Sequence, residues 1–147
     1  MRRLFLIAII FCTATWQANA QREGMVHQAV SKGIASFYHD KFEGRLTANG
    51  EVFDNNKFTA ASNILKLGSY VKVTNLSNGK VVYVKINDRM AHTNTRLIDL
   101  ARVAAKELGF IRKGITQVKV EVVPESEGKI GIVAQREGIA LVGKNEL

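Results

Sequence analysis

At 147 residues the chain is about one domain long, and 46% hydrophobic with 23% charged residues is a globular balance that excludes a disordered polymer. The single cysteine, Cys12, excludes a disulfide scaffold and a Cys-rich zinc module. Lys and Arg number 21 against 13 Asp and Glu, a balance of +8 that suits an anionic partner; the basic residues are scattered, which disfavours a nucleic-acid-binding arm.

Residues 1–20 read as a secretory signal peptide. Arg2 and Arg3 precede a short apolar run, and Ala18-Asn19-Ala20 offers a cleavage site before Gln21. The apolar stretch 4–16 is too short for a spanning helix, which needs about 20 residues. Lipidation at Cys12 is disfavoured, because Ile10 and Phe11 precede it where small residues are expected. The expected product is exported to the periplasm or cell envelope, with no transmembrane segment. Removing Arg2 and Arg3 leaves 19 basic residues against 13 acidic, a balance of +6.

Residues 21–32 read as a loose leader, and 33–38 as a short strand. Asn49-Gly50 marks a turn, and 57–67 is ambiguous between helix and loop. Two runs of period two, 70–74 and 81–86, flank Ser77-Asn78-Gly79-Lys80. That pattern predicts a hairpin with positive φ at both Asn78 and Gly79. Leu100, Val103, Ala104 and Leu108 share a helical face, with Asp99 placed to cap the helix and Gly109 at its end. Residues 116–123 alternate as a strand that Pro124 ends. Residues 124–147, with Gly128, Gly131, Gly138 and Gly143, read as an appended tail with one weak edge strand. Strands dominate, so a small β-barrel is expected rather than a βαβ sheet.

Several segments then line up in order: Gly33-Ile34-Ala35-Ser36-Phe37-Tyr38, Gly44-Arg45-Leu46-Thr47-Ala48-Asn49-Gly50-Glu51, Thr59-Ala60-Ala61, Leu67-Gly68-Ser69, Ile86-Asn87-Asp88-Arg89, Arg96-Leu97-Ile98-Asp99-Leu100 and Lys106-Glu107-Leu108-Gly109. Together they resemble the rare lipoprotein A (RlpA) family across residues 33–123. The resemblance implies a mainly β fold, a six-stranded double-psi β-barrel with one or two short helices. It also implies lytic transglycosylase chemistry on peptidoglycan glycan strands, leaving 1,6-anhydromuramic ends. Division or cell-wall proteins are further expected partners; no cofactor, metal or nucleic acid is expected.

The family pairs the Asp of an Asn-Asp-Arg-Gly-Pro motif with the His of Thr-Ala-Ala-His. Asp88 matches the former, so the resemblance implies that Asp88 is catalytic. Ser62 occupies the His position, and Met90-Ala91 replaces Gly-Pro. Serine cannot titrate near neutrality. Two readings therefore stand: a transglycosylase, or an inactive glycan-binding or division-site interaction module. Asp99 is a second carboxylate candidate, with helix capping as its competing role. His39 and His92 are candidates to replace the missing imidazole. Implied substrate contacts are Tyr38, Thr47, Asn49, Glu51, Asn87 and Arg89. For Tyr38, Phe53 and Tyr83, sugar stacking competes with core packing.

Overall fold

The computed structural model describes residues 29–145. The signal peptide, Cys12, His27 and most of the leader lie outside the described residues. The elements are β1 (Val30–Phe37), a 3-10 turn (Asp40–Phe42), β2 (Thr59–Ala61), β3 (Tyr70–Asn75), β4 (Val81–Asp88), β5 (Ile98–Leu100), α1 (Arg102–Glu107), β6 (Thr116–Val123) and α2 (Glu125–Asn145). β1 thus begins at Val30, inside the stretch expected to be loose leader.

The six strands close a barrel in the order β1-β5-β2-β4-β3-β6. β1 pairs with β5 in parallel and β2 with β4 in parallel; the other four pairings are antiparallel. Period-two alternation explains the lumen. Val71 and Val73 of β3, Val82, Val84 and Ile86 of β4, and Val118 and Val120 of β6 are all fully buried. Leu108 and Phe110, after α1, join the same core. Branched side chains pack well on such pleated inner faces.

The β3–β4 hairpin forms as expected, but its turn differs. Gly79 alone has positive φ, +74°, and no non-glycine residue among those described does. The Gly79 amide donates back to the Asn75 carbonyl at 2.8 Å, so the loop is longer than the two-residue turn expected of Asn-Gly. Asn75 also accepts from Thr116 Oγ1 at 2.9 Å and donates to the Leu108 carbonyl, which ties this end of the barrel to α1.

Two helix expectations are corrected. Asp99 does not cap α1: it lies in β5, and the N-cap is Ala101, which makes no side-chain cap bond. Gly109 does end the helix in the left-handed region, φ +74°. The tail carries no edge strand among the described residues, because residues 125–145 form α2. Its glycines suggest a breaker until the packing is seen. A Cβ on Gly128 would lie 2.3 Å from Tyr70 Cβ, and one on Gly131 would lie 2.4 Å from Tyr83 Cδ2. Each glycine costs the helix about 1 kcal/mol relative to alanine. In return the helix axis approaches the aromatic side chains of β3 and β4 directly.

Gln135 fixes the register of that docking. Its Oε1 accepts from the Tyr83 amide at 2.6 Å, and its Nε2 donates to the Tyr83 carbonyl at 3.0 Å. The short β2 pairs with β4 only from Lys85 onward, so Tyr83 has no strand partner on that side. The Gln135 side chain supplies one.

Candidate active site

A groove of about 450 Å³ opens where the ends of β1, β4 and β5 meet. Its walls include Tyr38, His39, Phe42, Asp88, Arg89 and Asp99. A register shift between Ala60 and Ala61 pairs Ala61 with Asp88 at the end of β4. Such irregularities re-aim side chains, and here Asn87 is buried while Asp88 reaches the groove wall.

Three donors converge on Asp88. The Ala48 and Arg89 amides each donate to Oδ1 at 2.8 Å, and the Tyr38 hydroxyl donates to Oδ2 at 2.6 Å. A carboxylate has about four acceptor positions, so one remains on Oδ2 at the groove. Tyr38 stacks on Phe53 at 4.2 Å between centroids and meets Phe42 edge-on at 5.7 Å. Burial first, and then its bond to Asp88, push the Tyr38 phenol above its ordinary range. Tyr38 therefore stays a donor at physiological pH.

Asp99 accepts from Ser36 Oγ at 2.7 Å and is gripped by both Arg96 Nε, at 2.8 Å, and a terminal Arg96 nitrogen, at 2.9 Å. It lines the same groove but spends its oxygens on a bidentate pair. Arg96 takes Asp99, whereas Arg89 meets Asp88 only through its backbone amide.

Ser62 lies beside Asp88 in the backbone, its amide donating to the Asp88 carbonyl at 3.2 Å. Its side chain turns inward. Ser62 is fully buried, and its hydroxyl donates to the Leu97 carbonyl at 2.9 Å. Ser62 thus presents no group to the groove. Arg89 points its guanidinium at the Ser62 and Leu65 carbonyls, so it braces the 62–65 turn. His39 lines the groove while its Nδ1 accepts from the Lys41 amide. His92 is exposed on the 89–97 loop and does not line the groove.

Thr47, Asn49, Glu51 and Asn87 form a bonded network behind the site. Thr47 Oγ1 donates to Asn49 Oδ1 at 2.7 Å, and Glu51 accepts from Asn49, Asn87 and Lys85. Thr47 and Asn87 are buried, so neither offers a face to a ligand. The network instead shapes the 47–51 loop that delivers the Ala48 amide to Asp88. The hydrogen bond from Lys85, followed by those from Asn87 and Asn49, pulls the Glu51 carboxyl down to about 2.

The site has members that sequence reasoning missed. The Ala48 amide carries no side-chain signal, and nothing in the spacing marks Phe42 as a wall. Ser36 is brought opposite Asp99 by the parallel pairing of β1 and β5, which no local pattern in the sequence records. Tyr83 is not at the groove: it packs under α2, its hydroxyl donating to Glu127 at 3.2 Å.

The lytic transglycolase family model matches residues 30–120. The chain belongs to the RlpA family. Among curated relatives, the Haemophilus influenzae protein named endolytic peptidoglycan transglycosylase RlpA is 51% identical over 92 residues, covering 63% of this chain and 32% of the relative. The Pasteurella multocida protein of the same name is 47% identical over 115 residues, covering 78% of this chain and 39% of the relative. This RlpA-family chain thus spans well under half the length of either. Two solved structures share the fold: Streptomyces papain inhibitor, at TM-score 0.53 and 22% identity over 65% of this chain and 96% of that one, and the Clavibacter michiganensis expansin, at 0.52 and 20% over 66% and 52%. The family match ends before α2, so the helix and its docking lie beyond it. Among the described residues no helix is long and apolar enough to cross a membrane.

Proposed function

We propose that this barrel takes peptidoglycan glycan strands into the Tyr38–Asp88 groove in the cell envelope and cleaves them slowly by the lytic transglycosylase reaction. The observation that carries the reading is the Asp88 carboxylate, oriented by three donors and open at the groove. In this reaction the leaving glycosidic oxygen gains a proton and the muramic acid's own hydroxyl gives one up as it closes on the anomeric carbon. Atoms balance without water, so one carboxylate can serve both transfers, unlike the two-carboxylate arrangement of ordinary glycosidases. Tyr38 holds Asp88 and, with Phe42, offers an aromatic wall for a sugar face. Arg96 keeps Asp99 in place as a support of the groove.

Ser62 is the reason for slowness. Losing a positioned acid or base typically costs about 10²- to 10⁴-fold in rate. The second reading, glycan binding without turnover, is favoured by the burial of Ser62 and by the commitment of its hydroxyl to Leu97. Both are tested by incubating the protein with sacculi stripped of stem peptides and measuring anhydro-muramic ends by mass spectrometry. Slow release supports turnover, and co-sedimentation without release supports the binding module. The absence of both binding and release overturns the peptidoglycan reading. Changing Ser62→His does not restore lysis by itself, because the position points away from the groove. It lowers stability by about 1–3 kcal/mol, as overpacking does. A large gain in lysis from that single change would show that the 62–65 turn can open.

A further inference from the structure

A second cavity, of about 330 Å³, lies in the seam between α2 and the barrel, and it shares no lining residue with the Asp88 groove. Its floor is apolar, made by Phe58, Ile132 and Val133, with the Tyr70 ring beside them. Four cations and one carboxylate, Glu51, ring it, for a local excess of positive charge. Lys57 and Lys85 come from the barrel wall, and Lys129 and Arg136 come from the helix. Lys129, Ile132, Val133 and Arg136 follow the i, i+3, i+4, i+7 spacing of one helical face. The face therefore offers an apolar pair between two positive ends, about 10 Å apart along the axis.

Two of the four positive charges are already paired. Lys85 meets Glu51 at 2.9 Å and Lys129 meets Glu125 at 2.5 Å. Lys57 and Arg136 have no ion pair among the described residues. They stand on opposite walls of the seam, so the uncommitted positive charge is divided between two places. A compact anion such as phosphate would satisfy one of them. A flat bilayer surface would not enter a concave seam of this size. A short extended ligand with carboxylates at separated positions and small apolar groups between them meets both walls and the floor at once.

We infer that the α2–barrel seam binds a short peptide carrying at least two carboxylates, namely the acidic stem peptide of peptidoglycan. The inference rests on the wall-directed reading above and adds to it a second contact, through a helix outside the family match. The seam then holds peptide-bearing wall while the groove engages glycan.

The test uses the tetrapeptide released from sacculi, with free carboxylates or with the carboxylates amidated, titrated calorimetrically into the protein. The expected result is binding of the free acid, with the amidated form at least about tenfold weaker. The double variant Lys57→Gln with Arg136→Gln should lose about tenfold for the free acid, the scale of removing paired charges at a binding site. Its retention on peptide-stripped glycan should equal that of the unchanged protein. Both residues are exposed and make no side-chain bond the fold depends on, so far-UV circular dichroism should be unchanged. Equal affinity for free and amidated peptide, or no effect of the double variant, overturns the inference. So does binding to phosphatidylglycerol vesicles, lost in the double variant, in place of peptide binding. A protein that holds stripped glycan but not the peptide overturns this inference alone, whereas one that holds neither overturns the peptidoglycan reading as well.

Discussion

The Asp88 corner and the α2 seam are built by opposite means. At Asp88, position is set by hydrogen bonds: a phenol and two amides converge on one carboxylate, and the supporting loop is itself bonded through Asn49 and Glu51. At α2, position is set by missing atoms, because two glycines let the helix settle onto Tyr70 and Tyr83, with Gln135 and Glu127 as polar latches on Tyr83. The first arrangement tolerates small changes of volume and fails when a donor or acceptor is removed. The second tolerates changes of polarity on its outer face and fails when one methyl group is added.

Four changes break or sharpen that contrast. Asp88→Asn has the largest expected effect. It keeps the shape but removes the charge, and any release of anhydro-muramic ends should fall below detection, by at least about 10²-fold; the thermal midpoint should fall as well, because three hydrogen bonds to a charged acceptor are weakened or lost. Lysis that survives would move the chemistry to another group. Gly131→Ala comes next. The added carbon meets Tyr83 ring atoms at 2.4 and 2.5 Å, so it should cost about 1–3 kcal/mol and expose α2 to limited proteolysis. Activity at the groove should be unaffected, and an unchanged midpoint would show that the helix is not held where described.

Tyr38→Phe removes one donor and leaves the stack on Phe53. A hydrogen bond to a charged group is worth about 1.5–3 kcal/mol, so glycan turnover should drop by about ten- to a hundredfold, read as kcat rather than KM. The smallest effect is the acid limb of stability. The Glu51 carboxyl is lowered from 4.5 to about 2 by Lys85, Asn87 and Asn49. A lowered folded-state value means its contribution is complete above about pH 4.5 and is lost as pH falls toward 2. The side chain is 41% exposed, so solvent screens the pair and the contribution is small. In thermal melts from pH 5 to 2, Glu51→Gln should show a shallower decline than the unchanged protein; parallel curves would mean that the Glu51–Lys85 pair adds nothing.

Much of the barrel is legible in the residues. Period-two runs in β3, β4 and β6 bury one face each, a signal that survives in any fold with a single apolar side. The short strands β2 and β5 carry three residues apiece and leave no periodicity to read. The segment resemblance placed Asp88 and Asp99 at one site, and the geometry puts both on one groove wall. Capping logic misassigned Asp99, because a strand-end aspartate held by Ser36 and Arg96 looks in sequence like one preceding a helix. The substrate roles expected of Thr47 and Asn87 yield to burial, which no local pattern records. The tail misleads for a sharper reason. Glycine lowers helix propensity everywhere, and only the partner surface reveals that two of these four glycines are required by contact.

The strand order has a consequence for how the chain reaches this state. β1 pairs with β5 and β6, whose residues lie some 60 to 90 positions downstream. Among the described strand pairings, only β3 with β4 closes from neighbouring sequence. Pairings of such long separation slow folding, because the loop must close before its contacts reward it. The barrel has no complete first strand until residue 121 is available, and α2 has no surface to dock on until β3 and β4 are paired. A chain wired this way stays open until its last strand arrives, so its folding is decided at the C-terminal end of the barrel and not at the first strand.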